Sequence, residues 1–448
     1  MDLELLKRSA ENRANELGLT EYELYFREDE SISASAMESE INQFSSSGSS
    51  GICFRCIVND KMGYAFTELF DEDEMISLVD RAVENAKAIE CDDEVFIFAG
   101  SEKYEEIEQT VADIPSAAVL SKKTLDCQKA LYDSDERVSS GTESGVVAAK
   151  TKIRIVNSKG LDLKNESGFF GLYAQPVVRD GENVNTDFAV EVKPIDEIDE
   201  CSLAKKAVTD AIEKLGATTV KSGKYNIVFD GAQMRSILST FTSVFSGKSA
   251  RLGLSLLKGK VGEAVANDVV TLTDDPFSKE NPMRTSFDAE GVATYKKHVI
   301  ENGVLKTFLY NLSSAKADSV ESTGNASKAS YSSSVGTSPY CFHFEAGEKT
   351  LSELFEAIGE GIYVTEMKGF HAGANAVTGD FSIESAGFMI RDGKKAEAIK
   401  EFTVSGNFFE LLKQIKEFSN EVKYGIPSDF TLFGSPDALV TDMSVAGV

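Results

Sequence analysis

Histidine is scarce enough in this chain to constrain every mechanism that needs imidazole. In 448 residues it occurs three times, at His298, His343 and His371, far apart in sequence. No HExxH, HxH or His/Cys cluster is present, so ligand spacing offers no self-contained zinc site. Cys53-Phe-Arg-Cys56 is a CxxC, but in a strand residues three apart point to opposite faces. Ser313-Ser-Ala-Lys316 has the spacing of a Ser-Lys hydrolase pair, within a serine-rich stretch where such a match carries little information. Gly247-Lys-Ser249 has Thr242 where a phosphate loop needs its upstream glycine, which removes a nucleotide site. The pair Asp274-Asp275 before Pro276 reads as a solvated turn, with cation binding as the chemical alternative.

Site chemistry is densest in residues 369–393, GFHAGANAVTGDFSIESAGFMIRDG. Gly369, Gly373, Gly379 and Gly387 permit close backbone approach, and Thr378, Asp380 and Ser382 place short polar side chains beside them. A Ser-His-Asp arrangement using His371 and Asp380 is open, because triads are defined by geometry and not by chain order. No G-x-S-x-G elbow supplies its nucleophile. Turn residues followed by the alternation Phe381, Ile383, Phe388, Ile390 predict a loop feeding a strand. The rim of a hairpin in a large β domain is an equally good reading of the same spacing.

The elements that must position these residues follow from periodicity. Leu3, Leu6, Ala10, Ala14 and Leu17 predict an opening helix stopped by Gly18. Short strands are predicted over 22–26, 31–41, 51–58 and 62–67, then a helix carrying Met75, Leu78, Val79, Ala82, Val83, Ala86 and Ile89. After a mixed-charge linker over 91–114 and a helix over 116–131, alternating stretches at 146–156, 161–178 and 183–192 lead to a helix with Leu203, Ala207, Val208 and Ala211 on one face. Helix, strands, helix thus occurs twice, which suggests a duplicated unit. Small polar residues at 216–223 mark a boundary. Beyond it come a strand at 225–229, a helix from Met234 to Phe245, and a hairpin turning at Asn302-Gly303. The Ser/Ala/Gly/Thr-rich stretch 313–338 predicts a long mobile or functional loop, and Phe408, Leu411, Leu412, Ile415 and Phe418 predict a last helix. The expected fold is α+β, with an N-terminal α+β domain over 1–220 and a β-rich C-terminal domain with a few helices over 221–448.

Charge removes some function classes. Lys plus Arg number 46 against 73 Asp plus Glu, and the net charge of −27 repels a phosphate backbone, so direct nucleic-acid binding is excluded. No run of 18 apolar residues appears, and MDLELLKRSA has acids where a signal peptide needs cations, which predicts a cytoplasmic protein with no membrane contact. Six cysteines scattered through the chain are expected to be mostly reduced and buried.

Taken in order, Tyr22-Glu-Leu-Tyr-Phe26, Met62-Gly-Tyr-Ala-Phe-Thr67, Phe229-Asp-Gly, Phe287-Asp-Ala-Glu-Gly291, Glu301-Asn-Gly-Val-Leu-Lys-Thr-Phe-Leu-Tyr310 and Gly373-Ala-Asn-Ala-Val-Thr-Gly-Asp-Phe-Ser382 resemble the TldD/PmbA family, called modulators of DNA gyrase, in its PmbA (TldE) branch. The resemblance covers nearly the whole chain. It implies a two-domain subunit that pairs with a TldD-like relative, or with itself, around a cavity where a zinc site degrades unfolded peptide. TldD-type chains carry HExxxH on the helix that opens the C-terminal domain. Here that helix reads Ile237-Leu-Ser-Thr-Phe-Thr-Ser-Val-Phe245, with Ser239, Thr240 and Val244 near the places of the ligands and the acid. Without imidazoles and a carboxylate, no catalytic residue and no metal are expected in this chain, and zinc is expected only in a TldD-like partner. His371, Asn375, Thr378, Gly379, Asp380, Phe381 and Ser382 are then expected to line the peptide cavity or the partner interface. Two other readings stay open: a stand-alone homodimeric hydrolase, and a non-enzymatic peptide-binding protein.

Overall fold

The computed structural model describes residues 3–90, 95–108 and 114–448; the linker expected at 91–114 lies partly outside them, as does Cys91. In the N-terminal half the order is α1 (Leu3–Glu16), β1 (Tyr22–Met37), β2 (Glu40–Val58), β3 (Lys61–Thr67), α2 (Glu72–Ala88), α3 (Ala117–Ser134), β4 (Glu143–Asn157), β5 (Asp162–Gln175), β6 (Val177–Asp180), β7 (Asn183–Thr186), β8 (Ala189–Val192) and α4 (Glu200–Glu213). All but the β6–β7 hairpin join one antiparallel sheet, ordered β3-β2-β1-β4-β5-β8. The helix, meander, helix unit is therefore laid down twice, and its two copies meet through the β1–β4 pair.

Alternation along β1 decides what each face of this sheet does. Tyr22, Leu24 and Phe26 pack with α1 and α2, while Ile32 and Ala34, of the same parity, pack under α3 and α4. The opposite parity puts Tyr25 beside Cys53, Ile153 and Ile155 against Phe287 of the C-terminal half. Asp71 caps α2 by accepting from the Glu74 N–H at 2.8 Å, and three acidic residues in the first turn favour the same helix end.

The C-terminal half runs β9 (Gly223–Phe229), α5 (Gly231–Phe241), α6 (Gly247–Arg251), β10 (Leu272–Asp274), β11 (Lys297–Glu301), β12 (Val304–Leu305), α7 (Leu312–Ala317), β13 (Ala326–Ser327), β14 (Gly336–Thr337), β15 (Cys341–Phe344), α8 (Leu351–Ile358), β16 (Gly361–Lys368), α9 (Phe370–Gly373), β17 (Asp380–Arg391), β18 (Lys394–Asn407), α10 (Phe408–Gln414), β19 (Ile415–Phe418), β20 (Lys423–Tyr424), β21 (Leu432–Ser435) and β22 (Ala438–Ala446). Two six-stranded sheets form, β18-β17-β16-β9-β22-β19 and β12-β11-β10-β15-β21-β20, and an extra β18–β22 pairing draws the first into a closed ring. The largest core belongs to this half, and Phe241 of α5 stacks on Phe408 of α10 at 4.7 Å within it. The α+β class with a β-rich C-terminal half agrees with the sequence expectation.

Several local expectations change. The strands expected at 22–26 and 31–41 are one strand, β1, because the chain reverses at Glu38 and Ser39, both in the left-handed region (φ 52° and 64°). Serines 45–47 continue as strand instead of turning, paired to β1 with a 2.8 Å Ser31–Ser47 hydroxyl bond. The helix expected from Met234 to Phe245 gives way to a 3-10 turn after Phe241. The helix expected to reach Phe418 stops at Gln414, because Ile415 and Phe418 pair with β22. The stretch 313–338 is built from α7 and the β13–β14 pair. Its small side chains let buried hydrogen bonds, such as Asn325 Nδ2 to Asp274 Oδ2 at 2.7 Å, replace an apolar core. Asp274 is accordingly fully buried and not in a solvated turn, accepting also from Lys297 Nζ and the Tyr340 N–H. No helix among the described residues is long and apolar enough to cross a membrane.

Candidate functional site

The segment that drew attention in the sequence folds as a self-contained turn. Asn375 Oδ1 accepts from the N–H groups of Val377 (3.0 Å) and Thr378 (3.3 Å), an Asx turn. The Gly379 N–H donates to Asn375 O, and the Asn375 N–H to Asp380 O. Asn407 Nδ2 then bridges Thr378 O (2.8 Å) and Asp380 Oδ1 (2.9 Å), which ties the turn to the start of α10. Hydrogen bonds from Asn407 and Thr378 hold the Asp380 carboxyl below its usual range. Gly379 is required here, since its φ is 83° and a Cβ would stand 2.6 Å from the Phe409 ring. Ser382 Oγ bonds Ser405 Oγ across β17 and β18 at 2.9 Å. Two expected lining residues are not available to a cavity. Phe381 is buried in the main core, 6.2 Å from the Phe241 ring, and Gly379 is buried beneath α10. His371 is exposed on α9, and among the described residues no hydrogen bond joins it to Asp380.

A cleft of about 400 Å³ opens instead along α5. Periodicity divides that helix: Met234, Ile237, Leu238 and Phe241 enter the core, while Arg235, Ser236, Ser239 and Thr240 face the cleft. Phe188 and Val190 of the N-terminal half and Phe370, Ile426 and Phe433 supply apolar walls, and Phe188 is half exposed. Ser236 Oγ and Thr240 Oγ1 each donate to the carbonyl four residues earlier at 2.8 Å. Arg235 Nη1 donates to Tyr424 O at 2.9 Å. Ser239 and Thr240, two of the three positions matched to the missing ligands and acid, face the cleft. Val244 does not: it is fully buried, because five residues of helix carry it far round from Ser239 and the backbone has by then tightened into the 3-10 turn. Arg235 and Ser236 were missed, although their spacing of four from Ser239 and Thr240 places them on one face.

Buried charge fixes the orientation of α5. Asp230 caps the helix through the Ala232 N–H (2.8 Å) and accepts from Tyr363 Oη (2.7 Å) and Lys423 Nζ (2.6 Å). Lys423 also reaches Asp437 Oδ1 at 2.6 Å, and that oxygen accepts from the Gly231 N–H. Burial pushes the Asp230 carboxyl up, but Lys423 and Tyr363 outweigh it and hold the group below its ordinary value. Asp437 stays above its own, because burial wins there over Lys423.

Ser239 and Phe433 also line an inner chamber of about 380 Å³ between the two halves. Arg27 of β1 locks its wall: it pairs with Asp29 (2.7 Å) and Asp429 (2.8 Å) and donates to Lys328 O (2.6 Å). Asp288 lies in the same chamber, pushed up to about 8 by burial and by the charge of Glu290. Nothing local in the sequence could have paired Arg27 with Asp429, 402 positions away.

A metal does not fit this cleft. Its α5 face offers hydroxyls and a guanidinium, and among the described residues no group of three or more His, Cys, Asp or Glu side chains could hold a metal ion. Cys53 packs toward the C-terminal half and Cys56 toward α1 and α2, so the CxxC pair diverges as strand geometry requires.

Comparison with known proteins agrees with this architecture throughout the chain. Profiles described as PmbA/TldA metallopeptidase domain 1, central domain and C-terminal domain match residues 22–86, 111–215 and 222–447. A protein of Buchnera aphidicola named metalloprotease PmbA homolog is 26% identical over 304 residues, covering 67% of this chain and 65% of its own. Among solved structures, a Thermotoga maritima protein that carries the label of a DNA gyrase modulator is 29% identical, with a TM-score of 0.90 over 99% of this chain and 100% of the other. TldE from Thermococcus kodakarensis is 25% identical, with a TM-score of 0.88 over 98% of this chain and 100% of its own. With three successive domain profiles matched along its length, the chain belongs to the PmbA/TldD family of metallopeptidases.

Proposed function

We propose that this chain is the metal-free subunit of a two-chain peptidase that degrades unfolded peptide, holding substrate in the α5 cleft while a TldD-like relative with HExxxH supplies the zinc chemistry. The α5 face carries the proposal. Where hydrolysis needs imidazoles and a carboxylate, it presents Arg235 and Ser239, which suit peptide carbonyls, and the Ser236 and Thr240 oxygens, which can accept a peptide N–H; none of them suits a metal. Phe188, Phe370 and Ile426 offer apolar surface for side chains of an extended segment. In this reading the 375–380 turn, with His371, Thr378 and Ser382 exposed near it, forms a rim or partner contact. The buried free thiols of Cys53, Cys56, Cys127 and Cys341 suit a reducing, cytoplasmic setting.

The test is a peptide-cleavage assay on the purified chain, alone and mixed with an HExxxH relative, with and without chelator. The expected outcome is chelator-sensitive degradation by the mixture and none by the lone chain. Chelator-sensitive cleavage by the lone chain would overturn the proposal. An inactive mixture that still binds peptide would favour the non-enzymatic binding module.

A further inference from the structure

The sheet face turned toward the C-terminal half carries charges that neither the cleft nor the turn uses. Glu23 of β1 and Arg55 of β2 are cross-strand partners, and Arg55 Nε donates to Glu23 Oε1 at 2.8 Å. Arg55 Nη2 lies 2.8 Å from the same oxygen, and Nη1 lies 3.9 Å from Glu290 Oε1. Lys328 Nζ sits 4.4 Å over the Tyr25 ring. Two acids and two bases therefore share one buried place. Their mutual pairing is incomplete: Glu23 Oε2 and Tyr25 Oη have no hydrogen-bond partner, while Arg55 Nε and Nη2 crowd onto the one oxygen Glu23 Oε1. Glu23 is 1% exposed and Tyr25 3%, so bulk water does not satisfy them.

All five residues line a pocket of about 240 Å³. Met62, Leu312 and Val335 make its apolar side, and Ser313, Ser333 and Ser334 bring hydroxyls. None of its residues lines the α5 cleft.

We propose that this pocket binds a free α-amino acid with an apolar side chain, as the zwitterion. The ammonium would be taken by Glu23 Oε2 and Glu290, the carboxylate by Arg55 and Lys328, and the side chain by Met62, Leu312 and Val335. An anion alone adds a negative charge beside Glu23 and Glu290, and a cation alone adds a positive charge beside Arg55 and Lys328. A ligand with both charges a few ångströms apart keeps the cluster neutral and brings a donor to the orphaned Glu23 oxygen. The apolar side, next to a charge-balanced cluster, selects against polar side chains. The inference stands on this pocket and not on the peptide reading.

Isothermal titration calorimetry on the full chain tests it with L-leucine, N-acetyl-L-leucine and L-leucinamide. L-leucine is expected to bind saturably at one site, and each blocked analogue, lacking one charge-assisted contact, at least about tenfold more weakly. Ser334 is exposed, so Ser334→Trp should fold with an unchanged melting temperature and abolish binding by filling the pocket mouth. Glu23→Gln should weaken L-leucine but leave N-acetyl-L-leucine unaltered. Absence of saturable heat with millimolar L-leucine and L-phenylalanine, analogues that match L-leucine, or full binding by Ser334→Trp would each overturn the proposal. The peptide-cleavage assay is read separately, so failure of one leaves the other standing.

Discussion

The 375–380 turn and the α5 cleft differ in where their polar atoms are spent. In the turn, Asn375, Thr378, Asp380 and Asn407 satisfy one another and the backbone. In the cleft, the orienting charges, Asp230, Lys423 and Asp437, gather at the start of α5; Ser236 and Thr240 donate back to the helix, and the face toward the opening keeps the exposed Ser239 hydroxyl, part of the Arg235 guanidinium and apolar walls. A glycine-rich polar motif can thus record a backbone requirement, whereas a plain amphipathic helix can present the surface a substrate meets. Availability of a polar atom, more than its presence, marks a site.

If buried charge builds the cleft, Lys423→Met is the most damaging single change. It strands Asp230 and Asp437 against each other, and a loss of about 3–5 kcal/mol is expected in urea unfolding. A loss below about 1 kcal/mol would mean that α5 is held by packing alone.

The chamber behind the cleft gives a pH signature. In an unfolded chain Asp288 titrates near about 4, whereas in the fold it is pushed up to about 8 by burial and by Glu290. Between those values the folded chain keeps a proton that the unfolded chain has lost, so stability falls as pH rises through the window, by at most about 1.4 kcal/mol per unit. Asp288→Asn should flatten this slope in unfolding measured from about pH 5 to about pH 8. An undiminished slope would assign the linkage to another group.

On the turn side, Gly379→Val combines a positive φ with a ring contact at 2.6 Å, and a cost on the order of 2 kcal/mol in thermal unfolding is expected. Wild-type stability in that variant would remove the backbone explanation for the motif. Functional weight is compared directly by Ser239→Trp and Asp380→Ala in the reconstituted peptide assay. Filling the cleft should lower turnover about tenfold or more, and loss of one exposed turn contact should change it by less than about threefold. The reverse ranking would return the site to the turn.

The main helices and the β-rich C-terminal half were legible because apolar periodicity states which face is buried, and the Cys53/Cys56 divergence because a strand alternates. Along α5 the sequence offered only a correspondence to the missing metal ligands; that Ser239 and Thr240 face a cleft while Val244 is buried depended on where the α-helix tightens. Element ends were not legible, since pairing with β22 and not local propensity made Ile415 to Phe418 a strand.

By itself, the sequence determined the α+β class and the scarcity of histidine. Tertiary structure alone decided that Phe381 belongs to the core, that Asp274 is buried, and that Arg27 meets Asp429 while Glu23, Arg55, Glu290 and Lys328 converge. The reason is physical: local periodicity encodes which face of an element avoids water, but which charges meet inside depends on how two sheets, distant in sequence, are brought face to face.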